Sequence, residues 1–136
     1  MKFEIRKLNQ EDYDSILVDW WKDWRWTPPA KDFLPEDGAG GFIVYDGDIP
    51  VCAGYIYLTN SKVGWCDWVI SNFKYKDREK RNIALVELVS ALTKALTIHG
   101  CKYSYALINS KSLMSIYKDV GYSEGDKYTK EMIKKL

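Results

Sequence analysis

The run Val63-Gly64-Trp65-Cys66-Asp67-Trp68-Val69-Ile70-Ser71-Asn72-Phe73 leads into Lys74-Tyr75-Lys76-Asp77-Arg78-Glu79-Lys80-Arg81 and then Asn82-Ile83-Ala84. Residues 63–73 read as a long strand. Trp65, Asp67, Val69, Ser71 and Phe73 fall on one face, with Cys66, Trp68, Ile70 and Asn72 on the other. Residues 74–81 read as a charged loop. From 82 to 98, Leu85, Leu88, Val89, Leu92, Ala95 and Leu96 recur at helical spacing, while Glu87, Ser90 and Lys94 lie off that stripe. Gly100 is the stop signal. A helix therefore begins where a strand and a basic turn end. Free N–H groups and partial positive charge at a helix start attract anions, a pyrophosphate among them. The same residues also make an ordinary solvated turn, since charge runs are common.

Reading outward, the chain before this run gives a strand at Phe3–Leu8. Asn9 follows as a helix N-cap, with Glu11 and Asp12 in the first turn. Tyr13, Ile16, Leu17, Trp20, Trp21 and Trp24 keep helical spacing until Thr27-Pro28-Pro29. Trp20 and Trp21 are adjacent, so they are not both expected to face fully inward. Residues 30–40 read as a loop. Phe42–Tyr45 and Val51–Leu58 flank Asp46-Gly47-Asp48 as a hairpin. Beyond the long helix come a strand at Tyr103–Ile108, a helix opened by Asn109-Ser110-Lys111-Ser112, and a last strand over about Lys127–Ile133. The order β-α-β-β-β-α-β-α-β predicts one α/β domain over 1–136. Its sheet is mixed and mostly antiparallel, with helices on both faces.

Composition narrows the function classes. A chain of 136 residues, 46% hydrophobic and 29% charged, has enough apolar material for one core and is not of disordered type. Net charge is +1, which argues against a surface built to grip nucleic acid or an acidic membrane. The charge is uneven: residues 71–136 carry 13 basic against 7 acidic side chains, and residues 1–70 carry 7 against 12. An anionic ligand is therefore expected on the second half. Cys52, Cys66 and Cys101 lack CxxC spacing, so no disulfide framework or zinc site is expected, and a reducing, cytoplasmic setting fits. No signal peptide or membrane-length apolar run is read. With His99 as the single histidine, a His-based triad or multi-His metal site is not expected. His99 itself reads as structural, and Cys66 is the one thiol worth testing as a nucleophile.

Tyr45-Asp46-Gly47-Asp48-Ile49-Pro50-Val51-Cys52-Ala53-Gly54-Tyr55, the segment Phe73–Leu88 and Tyr117-Lys118-Asp119-Val120-Gly121-Tyr122 resemble the GCN5-related N-acetyltransferase (GNAT) family. The resemblance extends over nearly the whole chain. It implies an acyl-CoA N-acyltransferase-like fold and transfer of an acetyl group from acetyl-CoA, as cosubstrate and without a metal, to an amine acceptor in a ternary complex. The pyrophosphate turn of the family corresponds to Glu79-Lys80-Arg81-Asn82-Ile83-Ala84. Here Glu79 stands for a basic or amide residue and Asn82 for a glycine, while Ala84 conforms. Arg78 is the alternative basic residue if the register shifts.

The resemblance further implies that the strands at 63–73 and 103–108 splay. The pantetheine arm would then run beside Asn72, Phe73 and Lys74, with Asn109 and Ser112 as further contacts. Asn109 equally suits a helix cap. Tyr117 sits where the family places a proton donor to the leaving thiolate; packing against the sheet is its plainer role. Asp67 is the best-placed acidic residue for a base, or a solvent-facing strand residue. Trp26, Asp32, Glu36 and Asp37 would wall an acceptor pocket suited to a cationic amine with an apolar body, or simply close the bottom of the domain. The acceptor is a small molecule or a protein. No nucleic acid or membrane partner is expected, and the reading leaves room for a homodimer. Two alternatives stand beside it. One is a catalytically degenerate binding protein of the same fold. The other is a small nucleic-acid-binding domain using 74–81 with Tyr75.

Overall fold

The computed structural model describes residues 2–136. β1 (Glu4–Lys7), β2 (Gly41–Asp46), β3 (Ile49–Leu58), β4 (Val63–Ser71) and β5 (Tyr103–Tyr105) form one sheet in the order β1-β2-β3-β4-β5. The first three junctions are antiparallel and the β4–β5 junction is parallel. On one face lie α3 (Arg78–Ile98) and α4 (Lys111–Asp119). On the other lie α1 (Gln10–Asp12), a π-helical turn (Tyr13–Leu17) and α2 (Val18–Asp23), followed by 3-10 turns at Lys31–Phe33 and Pro35–Gly38. The expected mixed sheet with helices on both faces is what forms.

Each face has its own apolar core. Leu85, Leu88, Val89, Leu92 and Leu96 of α3 pack on Val44, Val51, Cys52 and Cys66 of the sheet. On the other face Leu17, Trp20, Trp21 and Leu34 pack on Ile43, Ala53, Tyr55 and Ile70. The amino end of α1 is fixed by a reciprocal cap, because Asn9 and Asp12 each bond the other's backbone N–H at 2.8–3.0 Å. Arg6 then forks onto the Asp12 carboxylate at 2.8 and 2.9 Å and ties β1 to that cap. Both adjacent tryptophans are buried, contrary to expectation, at 5% and 2% exposure. The chain after α2 folds back over the helix: the Tyr13 hydroxyl donates to the Pro29 carbonyl at 2.5 Å, and Leu34 joins the same core.

The alternation expected along 63–73 breaks at one place. Ala53 pairs with Ile70 and Tyr55 with Asp67, so β4 carries one residue more than β3 across this step. Trp68 absorbs it with φ 54°, a β-bulge. As a result Trp68 joins Ile70 in the Trp20–Trp21 core, while Val69 turns to the α3 core. Asp67, opposite Tyr55, and Trp68 thus share one face. Gly54 lies across from the bulge. A Cβ there would come within 2.9 Å of Leu92 Cδ1 and 3.0 Å of Val69 Cγ2, so the glycine lets α3 seat against the bulged strand.

Two further expectations are corrected. α3 begins at Arg78, not 82, because Asp77 caps it by accepting the Lys80 N–H at 3.0 Å. No strand forms at 127–133; residues 123–136 are exposed and without regular structure. β5 offers only three residues of edge. The would-be strand also mixes Tyr128, Lys130 and Met132 on one face, leaving no apolar side to bury.

Replacing Gly54 with Ala is expected to lower stability by about 1–3 kcal/mol in urea unfolding, through overpacking against Leu92 and Val69. An unchanged midpoint would show that α3 does not rest on the bulge.

Candidate active site

β4 and β5 are paired only from Val63↔Tyr103 to Trp65↔Tyr105, while β4 runs on to Ser71. The strands therefore part after Trp65. The opening is narrow at its throat. The Tyr117 hydroxyl, from α4, donates to the Cys66 carbonyl at 2.7 Å and lies 3.5 Å from Cys66 Sγ. Across the same gap the Leu107 N–H donates to Asp67 Oδ2 at 3.3 Å, and Asp67 Oδ1 accepts the Trp68 N–H at 3.0 Å. At the far end of β4 the Trp24 indole N–H donates to the Ser71 carbonyl at 2.8 Å.

Tyr117 is buried, and burial drives its phenol well above the ordinary tyrosine range, helped by the neighbouring Cys66 and by Asp67. It is a protonated donor at every physiological pH. Burial also lifts Asp67 above the ordinary carboxylate range, against the pull of the Trp68 and Leu107 N–H groups. A proton donor and a proton acceptor thus come from the two faces of one strand at the point where the sheet opens. Burial pushes the Cys66 thiol up to about 11, which removes the thiolate needed for nucleophilic chemistry at neutral pH.

Between the amino-terminal half of α3 and the length of α4 runs a groove of about 490 Å³, lined by Arg78, Asn82, Ile83, Ser112 and Ser115 with Glu87 and Asp119. Of the cofactor residues expected from the sequence, Asn82, Ile83 and Ser112 line it. Ala84 is buried beneath it. Glu79, Lys80 and Arg81 belong to the first turn of α3, not to a loop.

The early start of that helix matters chemically. N–H groups beyond the first four residues of a helix are bonded within it, so those of Asn82, Ile83 and Ala84 are no longer free for phosphate. Asp77 also sets a carboxylate at the end where an anion would bind. Arg78, on the groove wall, is the cation best placed for it.

Asn72 and Lys74 serve the turn after β4. The Asn72 N–H goes to the Val51 carbonyl at 2.8 Å, and the Lys74 N–H goes to Asn72 Oδ1 at 3.0 Å. Phe73 packs edge-on to Trp24 with centroids 4.8 Å apart. Asn109 is exposed, and the cap of α4 is Ser110, not Asn109. Tyr75 is buried, with its hydroxyl on Asp46 Oδ2 at 2.7 Å, so it presents no ring for stacking a base.

Of the expected acidic wall, Trp26 stands 55% exposed on the ring of Trp24, and Glu36 lies 3.4 Å from Lys7 Nζ. Asp32 and Asp37 are exposed. In this segment Leu34 is buried on the sheet face, and Phe33 packs edge-on against Trp68. Its signal was absent from the sequence, because only the bulge brings Trp68 to that face. Tyr122 was legible as part of a motif, but its work is structural. Its hydroxyl lies 2.6 Å from Thr93 Oγ1 on α3 and 2.5 Å from Ser104 Oγ on β5.

This architecture, a mixed sheet opened between two parallel strands with a helix start beside the gap, defines an acyltransferase type of α/β fold. Its neighbours among solved structures carry the GNAT fold, and so does this chain. Glucosamine-6-phosphate N-acetyltransferase from Arabidopsis thaliana superposes with a TM-score of 0.66 at 12% identity, covering 98% of this chain and 100% of that one. An aminoglycoside acetyltransferase from an uncultured soil metagenomic sample, in complex with sisomicin, gives 0.66 at 9%, with 97% of each chain covered. A transcriptional regulator from Bacillus halodurans C-125 gives 0.68 at 12%, covering 97% and 100%. No protein-family model matches the chain, and no curated protein matches it in sequence. No helix among the described residues is long and apolar enough to cross a membrane.

A water-soluble disulfide reagent at pH 8 is expected to leave Cys52 and Cys66 unmodified until the chain is unfolded. Fast labelling of Cys66 in the native protein would mean that the throat is not closed by Tyr117.

Proposed function

We propose that this protein is an N-acetyltransferase that takes an acetyl group from acetyl-CoA and passes it to an amine. The observation that carries the proposal is the parting of β4 from β5 after Trp65, with the Tyr117 hydroxyl and the Asp67 carboxylate on opposite faces of that point. The residues suit the shape of an acyl-CoA. The α3–α4 groove has Arg78 and the hydroxyls of Ser112 and Ser115 as polar partners for it. Acetyl-CoA would supply an activated acyl group as its thioester.

The protein's own residues then have defined tasks. Past Trp65 the edge of β4 has no β5 partner, and an extended amide chain pairing there would displace the Tyr117 bond to the Cys66 carbonyl. An acceptor ammonium has a pKa near ~10.4 and must lose a proton before its nitrogen can attack. Asp67, less acidic than an ordinary carboxyl, takes that proton. Tyr117 keeps its own proton at neutral pH and gives it to the departing sulfur. For that, its bond to the Cys66 carbonyl must be exchanged for one to the leaving group.

The second reading is a non-catalytic protein of the same fold. It is favoured by the early start of α3, which leaves Asn82, Ile83 and Ala84 without free N–H groups, and by the Asp77 carboxylate at that end. A neighbour of the same fold is named as a transcriptional regulator.

Calorimetry separates the two. Saturable acetyl-CoA binding, competed by free CoA, is expected, and no heat at millimolar cofactor would overturn the enzymatic reading. Tyr117→Phe is expected to keep that affinity while lowering turnover by about 100-fold. Asp77→Asn keeps a good helix cap but removes the opposing charge, so it is expected to tighten acetyl-CoA binding by about two- to fivefold.

A further inference from the structure

The strand face that carries Asp67 is built largely of aromatic rings. Tyr57 pairs with Trp65 across β3 and β4, and Trp65 meets Tyr105 edge-on at 4.5 Å between centroids. The bulge sets Trp68 beside Asp67, and Phe33 closes on Trp68 at 5.8 Å. Phe33 and Tyr105 keep 44% and 40% of their surface exposed. The Asp67 oxygens accept only the Trp68 and Leu107 N–H groups. A carboxylate has about four lone-pair sites, so roughly half its capacity is unfilled. Among the described residues no ion pair involves Asp67. Glu131, from the exposed segment after α4, adds a second negative charge that acts on Asp67. A half-buried carboxylate among rings without an ion pair is an unfavourable arrangement that a bound ammonium would complete.

Two tyrosine hydroxyls on this face are held by backbone carbonyls, and that of Tyr105 lies 3.5 Å from the Tyr128 hydroxyl. Tyr57 donates to the Phe33 carbonyl at 3.0 Å and Tyr55 to the Gly38 carbonyl at 2.9 Å. A polyhydroxylated amine would find few polar side chains here to replace its water, whereas a flat apolar body would cover ring surface.

We infer that this face selects, as acetyl acceptor, a primary ammonium carried on a flat apolar body, with the charge on Asp67 and the body against Trp65, Trp68 and Tyr105. The inference rests on the acetyltransferase reading for the word acceptor, but the binding site it describes does not. The Asp67 carboxylate discriminates by charge, and the rings discriminate by shape and apolarity.

Binding to the full chain is measured by calorimetry without cofactor, using 2-phenylethylamine, its neutral analogue 2-phenylethanol, and glucosamine. The amine is expected to bind about tenfold more tightly than the alcohol, and glucosamine more weakly still. Asp67→Asn is expected to abolish the preference for amine over alcohol. Trp65→Leu is expected to weaken both. With acetyl-CoA present, release of free thiol is expected to run faster with 2-phenylethylamine than with glucosamine, by about tenfold in kcat/KM. Equal binding of amine and alcohol by the wild-type protein overturns the inference. So does acetylation of glucosamine at an equal or higher rate, an outcome that leaves the acetyltransferase reading standing. The expected binding preferences without any thiol release support the site and overturn the acetyltransferase reading instead.

Discussion

One extra residue in β4 governs much of what this structure can do. A strand that keeps strict alternation would put Asp67 and Trp68 on opposite sides of the sheet. The bulge at Trp68 puts them on the same side and lies just past the last β4–β5 pair. Bulges bend a strand and add twist. Gly54 makes room for it, and Leu92 and Val69 fill the space a Cβ would have taken. The opening in the sheet, the shared face of carboxylate and indole, and the seat of α3 are thus connected through a few ångströms of backbone.

The throat of that opening is a balance between access and closure. Tyr117 and Asp67 are the groups with suitable proton chemistry, and they are also the groups that bridge the gap, through Cys66 and Leu107. In the present arrangement each satisfies a backbone group that the missing strand pairing left without a partner. Burial acts on both residues in the same direction. It favours the protonated phenol and the protonated carboxyl, which preserves the acid and weakens the acidity of the base.

Most of the architecture was legible in the sequence because it follows from periodicity. The α3 stripe from Leu85 to Leu96, the hairpin around Gly47 and the Asn9 cap all form where the spacing puts them. What the sequence did not disclose depends on competition between local choices. Asp77 and Asn82 both stand near a helix start, and the winner is the aspartate whose side chain reaches the Lys80 N–H. From Trp68 onward the faces of β4 depart from simple alternation, and nothing in Trp65–Ile70 marks the bulge except its fit to Gly54 on another strand. The strand expected at 127–133 needed an edge to pair with, and β5 is too short to supply one. In the site, Tyr117 and Asp67 lie at the opening, and Asn82, Ile83 and Ser112 line the groove between α3 and α4. Asn72 and Lys74, which the resemblance puts beside the pantetheine arm, have their N–H groups engaged, that of Asn72 by the Val51 carbonyl of β3 and that of Lys74 by Asn72 Oδ1.

The brevity of β5 bears on solubility. An outermost strand is a template on which a foreign chain can add itself, and its reach sets how firmly such an adduct holds. With three residues in register, and with Tyr103 and Tyr105 as the side chains on display, this border offers a visitor few rungs to climb. Any insertion that extended β5 by a further turn of the ladder would give the molecule a sticky rim. Its shortness keeps that template small.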